Sequence, residues 1–202
     1  MTDHPFPIEY MPGSTPLDPD ELLGLIPNYI STQGELNVLE QGNILEAKTW
    51  MFKKKPKEYL TDTFMIELHK RMFKNVWKWA GRYRLTDKSI GVHWQQIPVQ
   101  MSALMRDTQY WIENNTYSWD EIGARFHHKM VAIHAFPNGN GRHARLATEI
   151  VQTANDQEPF TWGAKTYSES LDQVSALRNE YINALREADQ RKFDRLIRFV
   201  RM

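Results

Sequence analysis

Residues 134–145 read HAFPNGNGRHAR and gather most of the chemistry that this chain can offer. Pro137 fixes one backbone dihedral, and Gly139 and Gly141 admit positive φ. A turn of this composition can aim several backbone N–H groups inward as an anion-binding nest. A helix opening near Arg142 adds its unpaired N-terminal donors and the positive end of its dipole. Arg142 and Arg145 are three residues apart, share one helical face, and each can grip a phosphate with a planar fork. A triphosphate is the natural occupant. His134 stands at the other lip of the turn. An imidazole with an ordinary pKa near 6.5 is mostly neutral at pH 7 and can accept a proton. A base beside a bound phosphate chain points to phosphoryl or nucleotidyl transfer onto a hydroxyl. Phe136 has a packing role, as the anchor of the loop. The plain alternative is a glycine-rich turn between two helices. Gly-Asn-Gly alone is common enough to mean that, but His, Phe, two Gly, Asn and two Arg in one register favour a functional loop.

The elements that must position this loop read as helices. Ser118-Trp119-Asp120-Glu121 is a capping box, and the helix that it opens carries Ile122, Phe126, Met130 and Ile133 as an apolar stripe running into His134. From Arg142 onward, Ala147, Ile150, Val151 and Ala154 form the buried face of the next helix. Upstream, Thr32 and Glu35 make another capping box, with Leu36, Leu39, Asn43, Ala47 and Trp50 at helical spacing, which predicts a helix over 32–52. A helix from about Thr61 presents Phe64, Leu68 and Met72, and Trp77, Trp79 and Gly81 follow as an aromatic cluster. Residues 82–98 break the helical period around turn-prone Asp87-Lys88-Ser89 and Gly91, so a short hairpin is expected there. A helix over 99–113 comes next, and two more begin at Ser168 and after Asp189. Residues 1–30 hold six prolines and read as an extended N-terminal extension, docked through Leu22, Leu23, Leu25 and Ile26. The expected fold is mainly α: a helical bundle over 31–202 with one small β-hairpin before the helix that ends at His134.

Composition narrows the function. Lys plus Arg equals 25 and Asp plus Glu equals 25, so there is no basic surplus of the kind that phosphate-neutralising nucleic-acid binders carry. The Lys53-Lys54-Lys55-Pro56-Lys57 cluster reads as a solvated helix end. With no cysteine, disulfides and thiolate metal sites are excluded. No apolar run reaches membrane-spanning length and no secretory leader is visible, so a cytoplasmic protein acting away from membranes is expected. His127, His128, His134 and His143 invite a zinc reading, but they lack H-E-x-x-H spacing and an acidic partner. His127, His128, His143, His69 and His93 are read as structural. Asp87, Lys88 and Trp94 are read as turn and packing residues, with contact to nucleotide or target as the alternative.

The loop resembles the signature of the Fic (Fic/DOC) family, H-x-F-x-[D/E]-G-N-G-R-x-x-R, matched at His134, Phe136, Gly139, Asn140, Gly141, Arg142 and Arg145. With STQGELN, WAGRYR and IGVHWQQIP, the chain looks like the bacterial subgroup called mobile mystery protein B. The resemblance spans about 30–200 and implies transfer of AMP from ATP to a Ser, Thr or Tyr hydroxyl of a target protein. It implies His134 as general base, Gly139, Asn140, Gly141 and Arg142 cradling the phosphates, and Arg145 holding the terminal phosphate. It implies a flap within 83–95 that pins the target as an added strand. A homodimer and an antitoxin-like or regulatory partner also belong to the family pattern. Asn138 stands where the family has the acid that binds Mg²⁺; an amide carbonyl is a hard oxygen ligand without charge, so a weakened metal site is expected. The phosphorylating branch has Lys at the position of Gly141, so nucleotidyl transfer is favoured over kinase action. Ser31-x-x-x-Glu35 resembles the family's inhibitory motif and makes Glu35 the candidate brake on Arg145, with the capping box as the competing role. The alternatives are a nucleotide-binding module with little transfer, or transfer of UMP, phosphocholine or phosphate.

Overall fold

The computed structural model describes residues 18–30, 32–54, 57–164, 166 and 171–202. Most of the proline-rich extension and the expected helix start at Ser168 lie outside the described residues. A single turn, α1 (Pro19–Leu22), precedes α2 (Gln33–Lys54) and α3 (Asp62–Phe73). After an irregular loop and a 3₁₀ turn over Trp94–Gln96 come α4 (Ile97–Glu113), α5 (Trp119–Ile133), α6 (Asn140–Ala154), α7 (Leu171–Asp189) and α8 (Asp194–Arg201).

Local sequence sets the helix starts. Thr32 Oγ1 accepts from the Glu35 N–H and Glu35 Oε2 accepts from the Thr32 N–H, which completes the box ahead of α2. Thr61 caps α3 through the Phe64 N–H. Ser118 accepts from the Glu121 N–H, but the Glu121 carboxylate turns to Arg125 at 2.7 Å, so only half of that box forms. Helix α4 begins at Ile97, two residues before the expected start, because Pro98 is tolerated in a first turn whose N–H groups lack intrahelical partners.

The main core lies where α2, α3, α4, α5 and α6 meet. Phe126, Met130 and Ile133 of α5 pack with Ala144, Ala147 and Ile150 of α6 and with Met65, Leu68 and Met72 of α3. Burial of these side chains stabilises the bundle by about 1.5–3 kcal/mol for each large one. A smaller cluster joins Ala124 of α5 to Ala184, Leu196 and Phe199 of α7 and α8. Helix α5 is therefore gripped from both sides, and the six residues that link it to α6 start from a fixed end.

The expected hairpin does not form. Residues 82–93 contain no strand, and the isolated Leu25–Trp77 bridge is the one strand-like pairing among the described residues. The physical reason is Arg84. Its guanidinium takes the carbonyls of Thr86 and Val92, which removes acceptors that a two-stranded ladder would use. The loop is instead folded onto the end of α5, with the Arg84 N–H on the Ala135 carbonyl at 3.0 Å and the Val92 N–H on the Ile133 carbonyl at 3.3 Å.

Candidate active site

Helix α5 ends on His134, which takes the left-handed conformation at φ 53° and ψ 57°. That conformation is unfavourable for a residue with a Cβ and turns the chain sharply into the loop. The loop is fixed from below. Phe136 is fully buried, and its N–H donates to Asn140 Oδ1 at 2.9 Å while Asn140 Nδ2 donates to the Phe136 carbonyl at 2.8 Å. His69 of α3 stacks on the Phe136 ring with centroids 3.7 Å apart. Its Nδ1 accepts from the Gly81 N–H at 3.0 Å, so its Nε2 carries the proton and donates to the Asn138 carbonyl at 3.1 Å. Burial holds the His69 imidazole well below its ordinary pKa, so this prop stays neutral.

Helix α6 starts at Asn140, two residues before the expected Arg142, with Gly139 as its N-cap at φ 78°. A Cβ on Gly139 would lie 2.5 Å from the Phe73 ring, so glycine is required there for both space and conformation. The first N–H to find its helical carbonyl is that of His143, on Gly139 at 2.9 Å. The N–H groups of Asn140, Gly141 and Arg142 precede it and form the donor end of the helix. Asn140 therefore offers an anion its backbone N–H, because its side chain is committed to Phe136.

His134 itself is 6% exposed, and both of its ring nitrogens are buried without a hydrogen-bond partner among the described residues. Burial first, then the positive charges of Arg84 and Lys88, holds its pKa down to about 4. The Val131 carbonyl faces the ring and opposes that shift, but it does not meet hydrogen-bond geometry. The side chain is thus a neutral imidazole with an unsatisfied acceptor, the state that a general base requires. An unpaired polar atom in a packed interior costs free energy. Lys88 is held in place by Asp18 at 2.7 Å and Glu21 at 2.6 Å from the N-terminal segment.

The two loop arginines part company. Arg142 Nη1 donates to Glu40 Oε2 at 2.6 Å and its Nη2 to Asn138 Oδ1 at 3.4 Å. Arg145 instead stands over the rings of Tyr181 and Trp162, at 5.0 and 5.9 Å from their centroids. The joint grip expected of Arg142 and Arg145 is therefore not assembled. Glu35 sits exposed at the start of α2, in its capping box, and the acid that reaches the loop is Glu40, one turn and a half further along the helix.

Asn138 Oδ1 accepts from the Gly139 N–H at 2.6 Å as well as from Arg142. It is a neutral oxygen already holding two hydrogen bonds, and among the described residues no group of three His, Asp or Glu side chains surrounds a common point. Mg²⁺ demands near-octahedral oxygen ligands and one or two carboxylates, so these residues do not fit a Mg²⁺ seat of their own.

Three residues at the site escape sequence reasoning. Glu40 carries a weak signal, being an acid on the apolar face of α2 next to Leu36, Leu39 and Asn43. His69 is structural, as expected, but nothing near it or Arg84 in sequence shows that they act on the loop, because the carbonyls that bring them there, of Asn138 and His134, lie 69 and 50 residues away. Of the remaining histidines, His143 bonds the Met65 carbonyl at 3.0 Å, His127 the Tyr181 hydroxyl at 2.8 Å and His128 the Asp189 carboxylate at 2.8 Å. Asp87 accepts from the Trp94 N–H at 2.9 Å, which is the turn role expected of both.

Comparison with known proteins places this loop in a wider pattern. The model of the Fic/DOC family matches residues 59–151, which include the whole of 134–145. The chain is 32% identical over 94 residues to "Protein adenylyltransferase Fic" of Drosophila mojavensis, a match over 45% of this chain and 19% of the relative. It spans about a fifth of the length of the curated relatives that it matches. Among solved structures, the N-terminal FIC domain of Bep8 from Bartonella sp. 1-1C superposes with a TM-score of 0.65 at 13% identity, covering 86% of this chain and 88% of that one. BepC from Bartonella tribocorum with bound AMPPNP superposes with a TM-score of 0.64 at 14% identity, covering 85% and 87%. These likenesses concern the helical fold.

Proposed function

The chain carries a Fic/DOC family domain, and from that premise we propose that it is a protein adenylyltransferase, transferring AMP from ATP to a Ser, Thr or Tyr hydroxyl of a target protein. The observation that carries this reading is the His134 ring, buried, neutral and without a hydrogen-bond partner among the described residues, one loop away from the donor end of α6. In this reading the N–H groups of Asn140, Gly141 and Arg142 hold the phosphate chain by charge and hydrogen bonding. His134 takes the proton of the target hydroxyl as that oxygen attacks the α-phosphorus. A new P–O bond forms, the bond to the bridging oxygen breaks, and pyrophosphate departs with the electron pair. The loop over 82–93 lies against His134 and presents exposed Leu85 and Ile90. These side chains suit contact with a target segment.

The described state is restrained, because Glu40 holds Arg142. We assign to Glu40 the braking role that the sequence suggested for Glu35. With Glu40 in place the guanidinium is neutralised, and a bound triphosphate must compete with a carboxylate for it. Release of that contact frees Arg142 to meet the β- or γ-phosphate.

The test uses ATP labelled on its α-phosphate. Label on protein that disappears in His134→Ala supports the proposal. Nucleotide binding without label favours a sequestering module, label from another donor alone favours a different transferase, and full labelling by His134→Ala removes the base from the mechanism.

A further inference from the structure

Arg84 is 2% exposed, and the Asp87 carboxylate reaches it only at 3.8 Å. A buried guanidinium is tolerated when its donors are met. Here backbone carbonyls meet them. Nε donates to the His134 carbonyl at 2.7 Å, Nη1 to Thr86 at 2.8 Å, and Nη2 to Val92 and, at 3.4 Å, to Ile133. The last carbonyls of a helix have no intrahelical donors, and at the end of α5 these are supplied by Arg84 and its loop. The Ala135 carbonyl is taken by the Arg84 N–H and the Ile133 carbonyl also by the Val92 N–H. Gly91 closes the arrangement: its φ is +104°, and a Cβ there would lie 2.7 Å from the His134 Cβ and 2.8 Å from Arg84 Nη2.

We propose that Arg84 is the positioning residue of the proton-transfer step, its guanidinium clamping the carbonyls on both sides of the His134 turn so that the imidazole is presented in one orientation. The proposal rests on His134 acting as the base. Only a planar fork with five donors fits four carbonyls at once; a lysine ammonium is a compact point charge with three. The clamp also ties the base to the loop that faces the target, so a displacement of that loop moves the imidazole. The charged groups facing the ring are Arg84 and Lys88, the latter offset by Asp18 and Glu21, and Asp87 lies behind Arg84 beside His93 at 3.4 Å.

The experiment compares full-length wild type, Arg84→Lys and Arg84→Ala. Turnover is expected to fall about 100-fold in Arg84→Ala, the loss that follows when a reacting group moves by about 1 Å. KM for ATP stays within about twofold, since α6 holds the phosphates. Methylguanidinium added to Arg84→Ala restores part of the rate, and the His134 ring, followed by NMR, titrates at higher pH than in wild type. If Arg84→Ala does not fold, Arg84→Lys decides the matter: charge is kept and the fork is lost, so turnover falls while the ring titration stays low. Unchanged turnover in the folded lysine variant overturns the proposal. So does a rise in KM with no fall in turnover, or a folded alanine variant with no guanidinium rescue and an unmoved titration. Failure of the underlying reading shows separately, as full activity in His134→Ala. The ring titration reports on the clamp whether or not transfer occurs.

Discussion

Glu40 and Arg142 lie 102 residues apart in sequence and meet at 2.6 Å, Oε2 to Nη1. The second Glu40 oxygen takes the Trp77 indole N–H at 2.7 Å, which holds the carboxylate in the orientation that meets the arginine. Helix α2 is thereby latched to the first turn of α6, where a phosphate chain would bind. Glu40→Gln keeps the shape and an acceptor for Trp77 while removing the charge. It should raise ATP affinity and transfer rate about tenfold, within the usual range of coupling between two sites. Isothermal titration and α-phosphate label incorporation measure this. Glu35→Gln should leave both within about twofold and cost only about 0.5 kcal/mol of stability, because glutamine still accepts from the Thr32 N–H and only the negative charge at the start of α2 is lost. The opposite ranking would return the brake to Glu35.

The His134 pKa of about 4 fixes the pH response of the reaction. Between pH 7.5 and 6 an ordinary histidine base loses about fourfold in its neutral fraction. This one should lose almost none, so the rate per folded molecule stays flat over that window. A fourfold drop there would show that the ring is not held low.

Acid should act on the fold before it acts on the base. His127 is held at about 3, and His134 and His143 at about 4, all three by burial first. Each folded value lies below the unfolded one. Stability is therefore full above about pH 6.5 and is lost as pH falls toward the folded values, because the unfolded chain binds the extra protons. From pH 7 to 5.5 the three together should remove roughly 3–4 kcal/mol, read as a fall in the urea midpoint. Constant stability over that range would mean that these rings are not buried neutral.

Two glycines of the site should respond in opposite ways to alanine. Gly91→Ala forces a Cβ to within 2.7 Å of His134 Cβ at a φ of +104°, and should cost about 2 kcal/mol and depress turnover more than ATP affinity. A Cβ at Gly141 meets nothing within 4 Å, so Gly141→Ala should fold with stability unchanged or raised by about 0.5 kcal/mol. In the proposed binding mode it should nonetheless weaken ATP binding, because the added methyl fills open space in the first turn of α6. Unchanged ATP affinity in folded Gly141→Ala would place the nucleotide elsewhere.

Asn138 offers a neutral oxygen that already accepts two hydrogen bonds. Wild type should therefore show no calorimetric Mg²⁺ binding in the absence of nucleotide. Asn138→Asp adds the missing charge and should make transfer rise with Mg²⁺ by about tenfold or more, as electrostatic stabilisation of a phosphoryl centre allows. An Asp variant as insensitive to Mg²⁺ as wild type would remove position 138 from the metal question.

Much of this protein was legible in its sequence because the relevant signals are local. The stripe Ile122, Phe126, Met130 and Ile133, the caps at Thr32 and Thr61, and the left-handed turn at Gly139 each depend on residues within one or two helical turns of each other. Backbone geometry and burial of one face dictate the outcome there. The mainly helical fold and the place of His134 between α5 and α6 followed from those signals. What tertiary structure decided was partnership. The 82–93 segment gave up a hairpin because Arg84 found better acceptors at the end of α5. The loop arginines diverged because Glu40 holds one while Tyr181 and Trp162 cover the other. The low pKa of His134 required burial by a loop more than forty residues upstream. A chain sets its own periodicity and turns by short-range sterics. Which donor meets which acceptor, and which charge loses its water, depends on segments that only packing brings together.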